Sequence, residues 1–230
     1  IHKVGLEIGG KVIQMRKYGH TVVEMLGGRK VHPCTSIPGG MTKGITEEQR
    51  VEIETMGHWA IEFAQFSLKI FNDIVLGNPA YVDLILGDVY THHTYYMGMV
   101  DENNKVNFYD GKVRVVDPNG KEFVKYAPQE YSEHIAEHVE PWTYLKFPYL
   151  KNVGWKGFVD GMGSGVYMAT PLSRLNVSDG MATPLAQEEY ERFYTTLGGK
   201  PVHQRLATHW ARLIELLYAA ERWVELVTDP

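Results

Sequence analysis

The motif that most clearly suggests a chemical function in this sequence is His134-x-x-Glu137-His138. On an α-helix, residues four positions apart lie on one face, so two imidazoles could bind zinc while the glutamate activates a water molecule. Such a site needs a third ligand from a distant element, and three carboxylates could supply it: Glu188, Glu189 and Glu191. The alternative is a solvated helix flank, because the apolar stripe of the predicted helix consists of other residues: Tyr131, Ile135 and Val139.

Two further places combine charged or titratable side chains with unusual surroundings. Arg29 and His32 lie in segment 27–40, which has glycine pairs at both ends and two prolines inside it. A rigid loop that presents a cation and an imidazole is a common form of functional site, although Arg29 could equally pair with a structural carboxylate. Lys146 lies in the aromatic run 142–149, where it either extends to solvent or is held near a buried carboxylate or ion.

Two patterns carry less chemical information. The glycines at positions 161, 163 and 165 lack the lysine spacing of a phosphate loop and do not connect a strand to a helix, so they predict a turn. His92 and His93 are adjacent in a predicted extended segment. Their side chains should therefore point to opposite faces, and we expect ordinary polar residues rather than metal ligands.

Composition excludes several classes of function. A net charge of −5 without long single-sign runs argues against a nucleic-acid surface. No apolar stretch approaches the roughly 20 residues of a membrane span, and no secretion signal is present, so a cytoplasmic protein is expected. Cys34 is the only cysteine, which leaves no internal disulfide and no site with several thiolates. Because neither end resembles a natural terminus, we expect an internal segment of a longer protein.

The elements that must position these side chains are mainly helical. Apolar residues at helical spacing predict helices in five places: 2–26, 46–77, 128–139, 184–197 and 201–227. Thr46 and Gln49 have the spacing of a capping box. Residues 94–126 instead alternate turn signals with four β-rich runs: 94–100, 105–110, 112–117 and 121–126. The predicted fold is α+β and predominantly helical, a long-helix bundle in one domain over 1–230, with an antiparallel meander inserted at about 90–127.

Four segments, taken together and in order, resemble the large (alpha) subunits of nickel–iron hydrogenases. They are LGGRKVHPCTSIPGG (26–40), EHVEPWTYLKFPYLKNVGW (137–155), RLNVSDGMATPLAQEEYERFY (174–194) and PVHQRLATHWARLIELLYAAERWVEL (201–226). The last two are similar to the cytosolic branch, whose members use NAD(P) or deazaflavin as electron carriers. The resemblance covers essentially the whole chain and implies a hydrogenase large-subunit-like fold.

The resemblance also implies a reaction, which is the reversible oxidation of dihydrogen. In the family, four cysteines in two Cys-x-x-Cys pairs hold a nickel–iron centre, and soft thiolates suit these metals. This sequence contains neither pair, so we expect both to lie outside it and the chain alone to be inactive. The implied partners are a diaphorase or similar electron-transfer subunit, together with the iron–sulfur small subunit.

Five positions receive a role from the resemblance, and none of them is expected to be catalytic. Glu133 and Lys146 match residues that act through water near a buried magnesium ion of the family. His32 and Arg29 lie in the loop that the family places towards the active site, where they would act through neighbouring groups. Arg174 matches an arginine that relatives place after Gly-Pro-Leu-Ala. Three residues of that segment differ here from the relatives. Met168 occupies the position where the cytosolic branch has an arginine, and Thr170 and Ser173 replace the glycine and the alanine.

Three alternatives remain open at this stage. The first is the related quinone-reductase subunit, which shares an Arg…His…Pro-Gly-Gly loop but holds no nickel. The second is the zinc peptidase suggested by His134, Glu137 and His138. The third is an interaction module, because part of this surface would pack against the small subunit in the full-length protein.

Overall fold

A computed structural model describes residues 5–229 of the chain. The chain divides into two units, one formed by residues 1–69 with 219–230 and the other by residues 70–218. The described residues form seven α-helices and three small sheets, which confirms the predicted α+β, predominantly helical class. Each of these helices is too short or too polar to cross a lipid bilayer.

The first unit begins with a long helix, a loop and a second long helix. α1 spans Gly5–Gly27 and α2 spans Glu47–Phe71. The helix predicted over 2–26 is thus confirmed from residue 5 onwards, and residues 2–4 lie outside the described part. Gly28 follows α1 with φ +77°, a left-handed conformation that ends the helix and favours glycine. The loop then contains a short hairpin of two strands, β1 (Ser36–Ile37) and β2 (Gly40–Met41), each two residues long.

The start and the packing of α2 both follow from particular side chains. The backbone N–H of Gln49 donates to Thr46 Oγ1 over 3.3 Å, and that of Thr46 donates to Gln49 Oε1 over 3.1 Å, so the predicted capping box is confirmed. Further along, a Cβ atom at Gly57 would lie only 2.9 Å from Val224 Cγ2 of the C-terminal helix. The missing side chain at position 57 therefore allows two helices of this unit to approach closely.

The second unit opens where α2 passes into a π-helical turn, Asn72–Leu76, so the helical segment ends next to residue 77, where the predicted helix ends. α3 spans Pro79–Leu86 and is capped by Asn78, whose side chain accepts from the Ala80 backbone N–H over 3.1 Å. Proline at the first helical position removes one N–H that would have no partner.

The predicted meander is confirmed for three of its four runs. β3 (Tyr95–Val100), β4 (Lys112–Val116) and β5 (Glu122–Tyr126) pair antiparallel in sequence order. The run 105–110 is not a strand. The side chain of Asn107 accepts from the backbone N–H groups of Tyr109 and Asp110 over 2.8 and 2.9 Å, which folds this run into a turn.

The helix predicted over 128–139 is wrong for its second part. A 3-10 turn (Pro128–Glu130) and the short helix α4 (Tyr131–His134) form first, and the chain then continues as β6 (Ile135–Val139), antiparallel to β7 (Lys146–Leu150). Ile135 and Val139 are β-branched and prefer extended backbone, and their pairing partners Leu150 and Lys146 complete the ladder. Pairing with a segment farther along the chain therefore overrides the local helical spacing.

A fourth strand and a helix complete the sheet of the meander. β8 (Tyr167–Met168) pairs parallel with β3, giving the order β5-β4-β3-β8, and α5 spans Pro171–Val177. A Cβ atom at Gly98 of β3 would lie 2.8 Å from Val177 Cγ2, so α5 lies directly on this strand. Neighbouring residues Tyr95 and Tyr96 are both buried, in core clusters formed by different residues. The strand thus contributes side chains to two clusters.

The last two helices are α6 (Pro184–Leu197) and α7 (Thr208–Thr228). α6 ends as predicted, since Gly198 adopts φ +87°. α7 begins seven residues later than the predicted start at 201. Val202 donates its N–H to Asn176 Oδ1 over 3.1 Å and accepts from Asn176 Nδ2 over 2.8 Å. Because both backbone groups of Val202 are bound by this side chain, they do not enter a helix.

Candidate functional site

The loop with Arg29 and His32 presents both side chains to solvent. It is closed by two bonds: the Cys34 N–H donates to the Gly27 carbonyl oxygen over 2.9 Å, and Thr35 Oγ1 donates to the Leu26 carbonyl oxygen over 2.8 Å. His32 has φ +54°, a left-handed conformation that is costly for a residue with a Cβ atom. Within residues 5–229 neither Arg29 nor His32 has a carboxylate partner, so the structure contains no ion pair that would make Arg29 structural.

Lys146 extends to solvent, where it pairs with an exposed carboxylate and not with a buried one. Its Nζ lies 3.1 Å from Glu137 Oε2 on the neighbouring strand, and both side chains are more than half exposed. Glu133 is an exposed residue of α4, with no ion pair among the described residues. The structure thus brings Lys146 to Glu137, and it contains no direct contact between Lys146 and Glu133.

The three residues of the candidate zinc motif each have other neighbours. The His134 ring stacks on Tyr126 with centroids 4.1 Å apart, and its buried Nδ1 has no hydrogen-bond partner. His138 Nε2 lies 2.9 Å from Glu140 Oε1, and Glu137 pairs with Lys146. Among residues 5–229, no three His, Cys, Asp or Glu side chains are grouped so that they could hold a metal ion. The geometry that motivated the peptidase hypothesis, two histidines on one helical face, is therefore absent.

Arg174 forms a two-pronged ion pair that the sequence did not indicate. Its Nε and Nη2 atoms lie 2.5 and 2.7 Å from the two carboxylate oxygens of Glu215, a buried residue of α7. The guanidinium also lies 5.7 Å from the centre of the Phe108 ring. Thr170 and Ser173, which differ from the relatives' motif before Arg174, form a capping box at the start of α5. Thr170 Oγ1 accepts from the Ser173 N–H, and Ser173 Oγ accepts from the Thr170 N–H.

His92 and His93, predicted to be ordinary polar residues, belong to a cluster that local sequence does not reveal. The His93 ring lies 4.1 Å from the His203 ring, and His92 Nε2 lies 3.3 Å from Asp160 Oδ1. His203 Nδ1 is 2.6 Å from the hydroxyl of the fully buried Tyr96. Burial and the neighbouring His93 lower the pKa of His203, which favours its neutral ring. The Tyr96 hydroxyl also lies 3.3 and 3.4 Å from the carbonyl oxygens of His92 and Val202.

Comparison with known proteins assigns the chain to a family. No family model matches, but the chain is 44% identical over all of its 230 residues to an iron-sulfur subunit of the F420-non-reducing hydrogenase of Archaeoglobus profundus, and it covers 47% of that protein. It is 34% identical to the beta subunit of the NAD-reducing hydrogenase HoxS of Cupriavidus necator, with 96% of the chain and 44% of that protein covered. A crystal structure of NAD+-reducing [NiFe]-hydrogenase in the H2-reduced state superposes with a TM-score of 0.86 at 28% identity, with 97% of this chain and 47% of that chain covered.

Fold and sequence together show that the chain belongs to the nickel–iron hydrogenases. Within that family it corresponds to a segment of the large subunits, as the four ordered motifs predicted. The chain spans about half the length of the curated relatives that it matches. The relatives are named as hydrogenase subunits, which favours this family over the quinone-reductase alternative.

Proposed function

We propose that this chain is the central part of a catalytic large subunit that oxidises dihydrogen reversibly and passes the electrons to a soluble carrier. The proposal rests on one observation: the sequence comparison and the structural comparison agree over nearly the whole chain. The 44% identity extends over the whole chain, and the superposition with a TM-score of 0.86 covers 97% of it. Activity belongs to the full-length protein, and the chain alone is expected to be inactive.

The residues present do not fit a nickel–iron centre on their own. The chain has one thiol, Cys34, which is exposed, whereas the centre requires four thiolates. We therefore propose that its cysteine ligands come from the rest of the full-length protein. This segment would supply the scaffold and the groups around the site.

Three groups of residues fit that supporting role. Arg29 and His32 form an exposed pair on a closed loop and would contact groups outside this chain. Arg174 ties α5 to α7 through its bond to Glu215. The resemblance would place Lys146 and Glu133 near a magnesium ion through water; both are exposed in this chain, so other parts of the full-length protein would have to enclose that site.

The names of the relatives support a proposal for the electron acceptor and the partners. The name of one relative states that it reduces NAD, and that of the other states that it does not reduce F420, a deazaflavin. We therefore favour NAD(P) or another carrier over the deazaflavin alternative. The proposed partners are a diaphorase-like subunit together with an iron–sulfur small subunit. We also propose a cytoplasmic location, where NAD(P) would be available as the carrier.

The test is hydrogen-dependent reduction of benzyl viologen by the full-length protein that contains this chain, together with elemental analysis. We expect activity with one nickel per large subunit, and no activity and no nickel in the 230-residue chain alone. A full-length protein that folds, lacks both Cys-x-x-Cys pairs and binds no nickel would refute the proposal and favour the quinone-reductase alternative.

A further inference from the structure

One cleft of the second unit takes no part in the supporting role proposed above. It is open to solvent, has a volume of about 450 Å³, and is lined by six residues: Thr91, His92, Phe158, Tyr167, Met168 and Arg205. This volume is typical of sites for small molecules, which span roughly 300–1,000 Å³. The lining combines one permanent charge with aromatic and thioether side chains, so the cleft could hold a ligand that has both a charged and an apolar part.

The charge of the cleft comes from Arg205. This residue is exposed and has no carboxylate partner within residues 5–229. The other basic group, His92, already faces a carboxylate, because its Nε2 lies 3.3 Å from Asp160 Oδ1. Asp160 Oδ1 also accepts from the His93 N–H over 2.9 Å. The Arg205 guanidinium is therefore the uncompensated charge, and its planar fork matches the oxygens of a carboxylate or phosphate.

The apolar wall is formed by Phe158 and Tyr167. Phe158 is 63% exposed, yet its ring lies edge to face against Phe147 at 5.0 Å and Trp155 at 5.1 Å. The ring is thus held in place while much of its surface remains open to a ligand. Burial raises the pKa of Tyr167, so its hydroxyl stays protonated at neutral pH and can donate a hydrogen bond. An aromatic ring is the ligand group that such a wall favours.

The cleft is assembled by contacts between distant parts of the second unit. Thr91 bridges Gln204, next to Arg205, and the His92 N–H donates to the His203 carbonyl oxygen over 3.2 Å. Tyr167 pairs in register with Tyr95 of β3. A site held in this way loses little conformational entropy when a ligand binds, which favours binding even with few contacts.

We propose that this cleft binds a small aromatic anion, a carboxylate or phosphate attached to a ring, with Arg205 holding the anionic group and Phe158 contacting the ring. The substitution at position 168 is consistent with this ligand. The resemblance to the cytosolic hydrogenases predicts an arginine there, and Met168 instead adds a polarizable apolar group to the wall and leaves Arg205 as the single fixed cation.

Calorimetric titration of the full-length protein that contains this chain tests the inference, with phenyl phosphate and benzoate as probes and inorganic phosphate as the ringless comparison. We expect one phenyl phosphate per chain, bound about tenfold more tightly than inorganic phosphate. Arg205→Gln should weaken phenyl phosphate at least about tenfold. Arg16→Gln makes the same charge change at an exposed position of α1 and should leave the affinity unchanged.

A second variant separates the ring from the charge. Phe158→Ala, at a largely exposed position, should weaken phenyl phosphate and leave inorganic phosphate unaffected. Thermal melts confirm that each variant is folded, and Arg205→Lys, which keeps the charge but loses the fork, should bind with intermediate affinity. Equal binding by Arg205→Gln and Arg16→Gln would overturn the inference, as would the absence of any heat at millimolar phenyl phosphate. These measurements need no hydrogenase activity, so their failure would not affect the proposed function.

Discussion

Arg174 and Glu215 lie 41 positions apart and form a two-pronged ion pair, with distances of 2.5 and 2.7 Å between their nitrogen and oxygen atoms. The carboxylate is buried, with Glu215 only 7% exposed, whereas the Arg174 side chain is 30% exposed. The pair joins the short helix α5 to the long helix α7 within the second unit. Because α5 lies directly on β3, this contact connects the inserted sheet to the helical part of the unit.

The first prediction follows from the unequal burial of this pair. Arg174→Ala leaves a buried carboxylate without a partner, and we expect the free energy of unfolding to fall by about 3 kcal/mol, the lower end of the range for such pairs because Arg174 is partly exposed. Arg174→Lys keeps the charge and loses the second hydrogen bond, so its loss should be smaller. Urea unfolding measures both, and equal stability of Arg174→Ala and the wild type would contradict the prediction.

The second prediction concerns Lys200. Its ammonium donates to the Ser178 carbonyl oxygen and, over 3.1 Å, to the Tyr190 hydroxyl, and it lies near the rings of Tyr190 and Tyr194. Burial lowers the pKa of this amine from 10.5 to about 8, although the carboxylate of Asp179, 3.9 Å away, acts in the opposite direction. The unfolded chain therefore binds this proton more tightly than the folded chain does. The contribution of Lys200 to stability rises as the pH increases from about 8 towards 10.5.

Urea unfolding between pH about 7.5 and 9.5 measures this contribution. The free energy of unfolding of the wild type should rise relative to that of Lys200→Met, by at most about 1.4 kcal/mol per pH unit. Taking the difference between the two proteins removes the contribution of other titrating groups. Parallel pH profiles would mean that the pKa of Lys200 is not lowered in the folded chain.

The parts of the fold that were predicted correctly depend on local signals. The capping box of Thr46 and Gln49 and the glycine after α6 fix helix ends through neighbouring residues. The turns of the meander likewise separate strands that are adjacent in the chain. Residues 135–139 were assigned wrongly because their conformation is decided by pairing with residues 146–150, and no local pattern contains that information.

The candidate site shows the same limit more strongly. Arg174 was found through a family motif, but its partner Glu215 is one glutamate among many in the sequence and is recognised only by its burial. The cluster of His92, Asp160 and His203 brings together three distant segments of the chain. The adjacent histidines His92 and His93 were the available signal. Because side chains alternate along a strand, the two rings were expected to point to opposite faces as ordinary polar groups and not to belong to one cluster.

The third prediction uses two glycines of the first unit with opposite surroundings. A Cβ atom at Gly57 would lie 2.9 Å from Val224 Cγ2 and 3.2 Å from Trp223 Cδ1, whereas at Gly10 of α1 it would meet no atom within 4 Å. Gly57→Ala should lower the free energy of unfolding by about 1–3 kcal/mol through overpacking. Gly10→Ala should raise it by up to about 1 kcal/mol, because alanine favours the helix.

Thermal or urea unfolding of the two alanine variants, compared with the wild type, checks the opposite signs. Since both substitutions add the same methyl group to a helix, the comparison isolates the contact with the C-terminal helix. A stabilising effect of Gly57→Ala would show that this close approach is absent in solution.

The fourth prediction asks whether His32 is kept for its conformation or for its imidazole. With φ +54°, this residue occupies a region that costs a non-glycine residue roughly 1–2 kcal/mol, a cost that glycine avoids and asparagine tolerates better. His32→Gly should therefore leave the chain as stable as the wild type or more stable by up to about 1 kcal/mol, and His32→Asn should be close to neutral.

If the imidazole contacts groups near the metal centre, both variants of the full-length protein should nevertheless lose hydrogen-oxidation activity, by about tenfold for a supporting residue. Unfolding curves and the rate of viologen reduction separate the two effects. Full activity in both variants would show that the loop needs no imidazole, and a large loss of stability in His32→Gly would show that the left-handed conformation is not a source of strain.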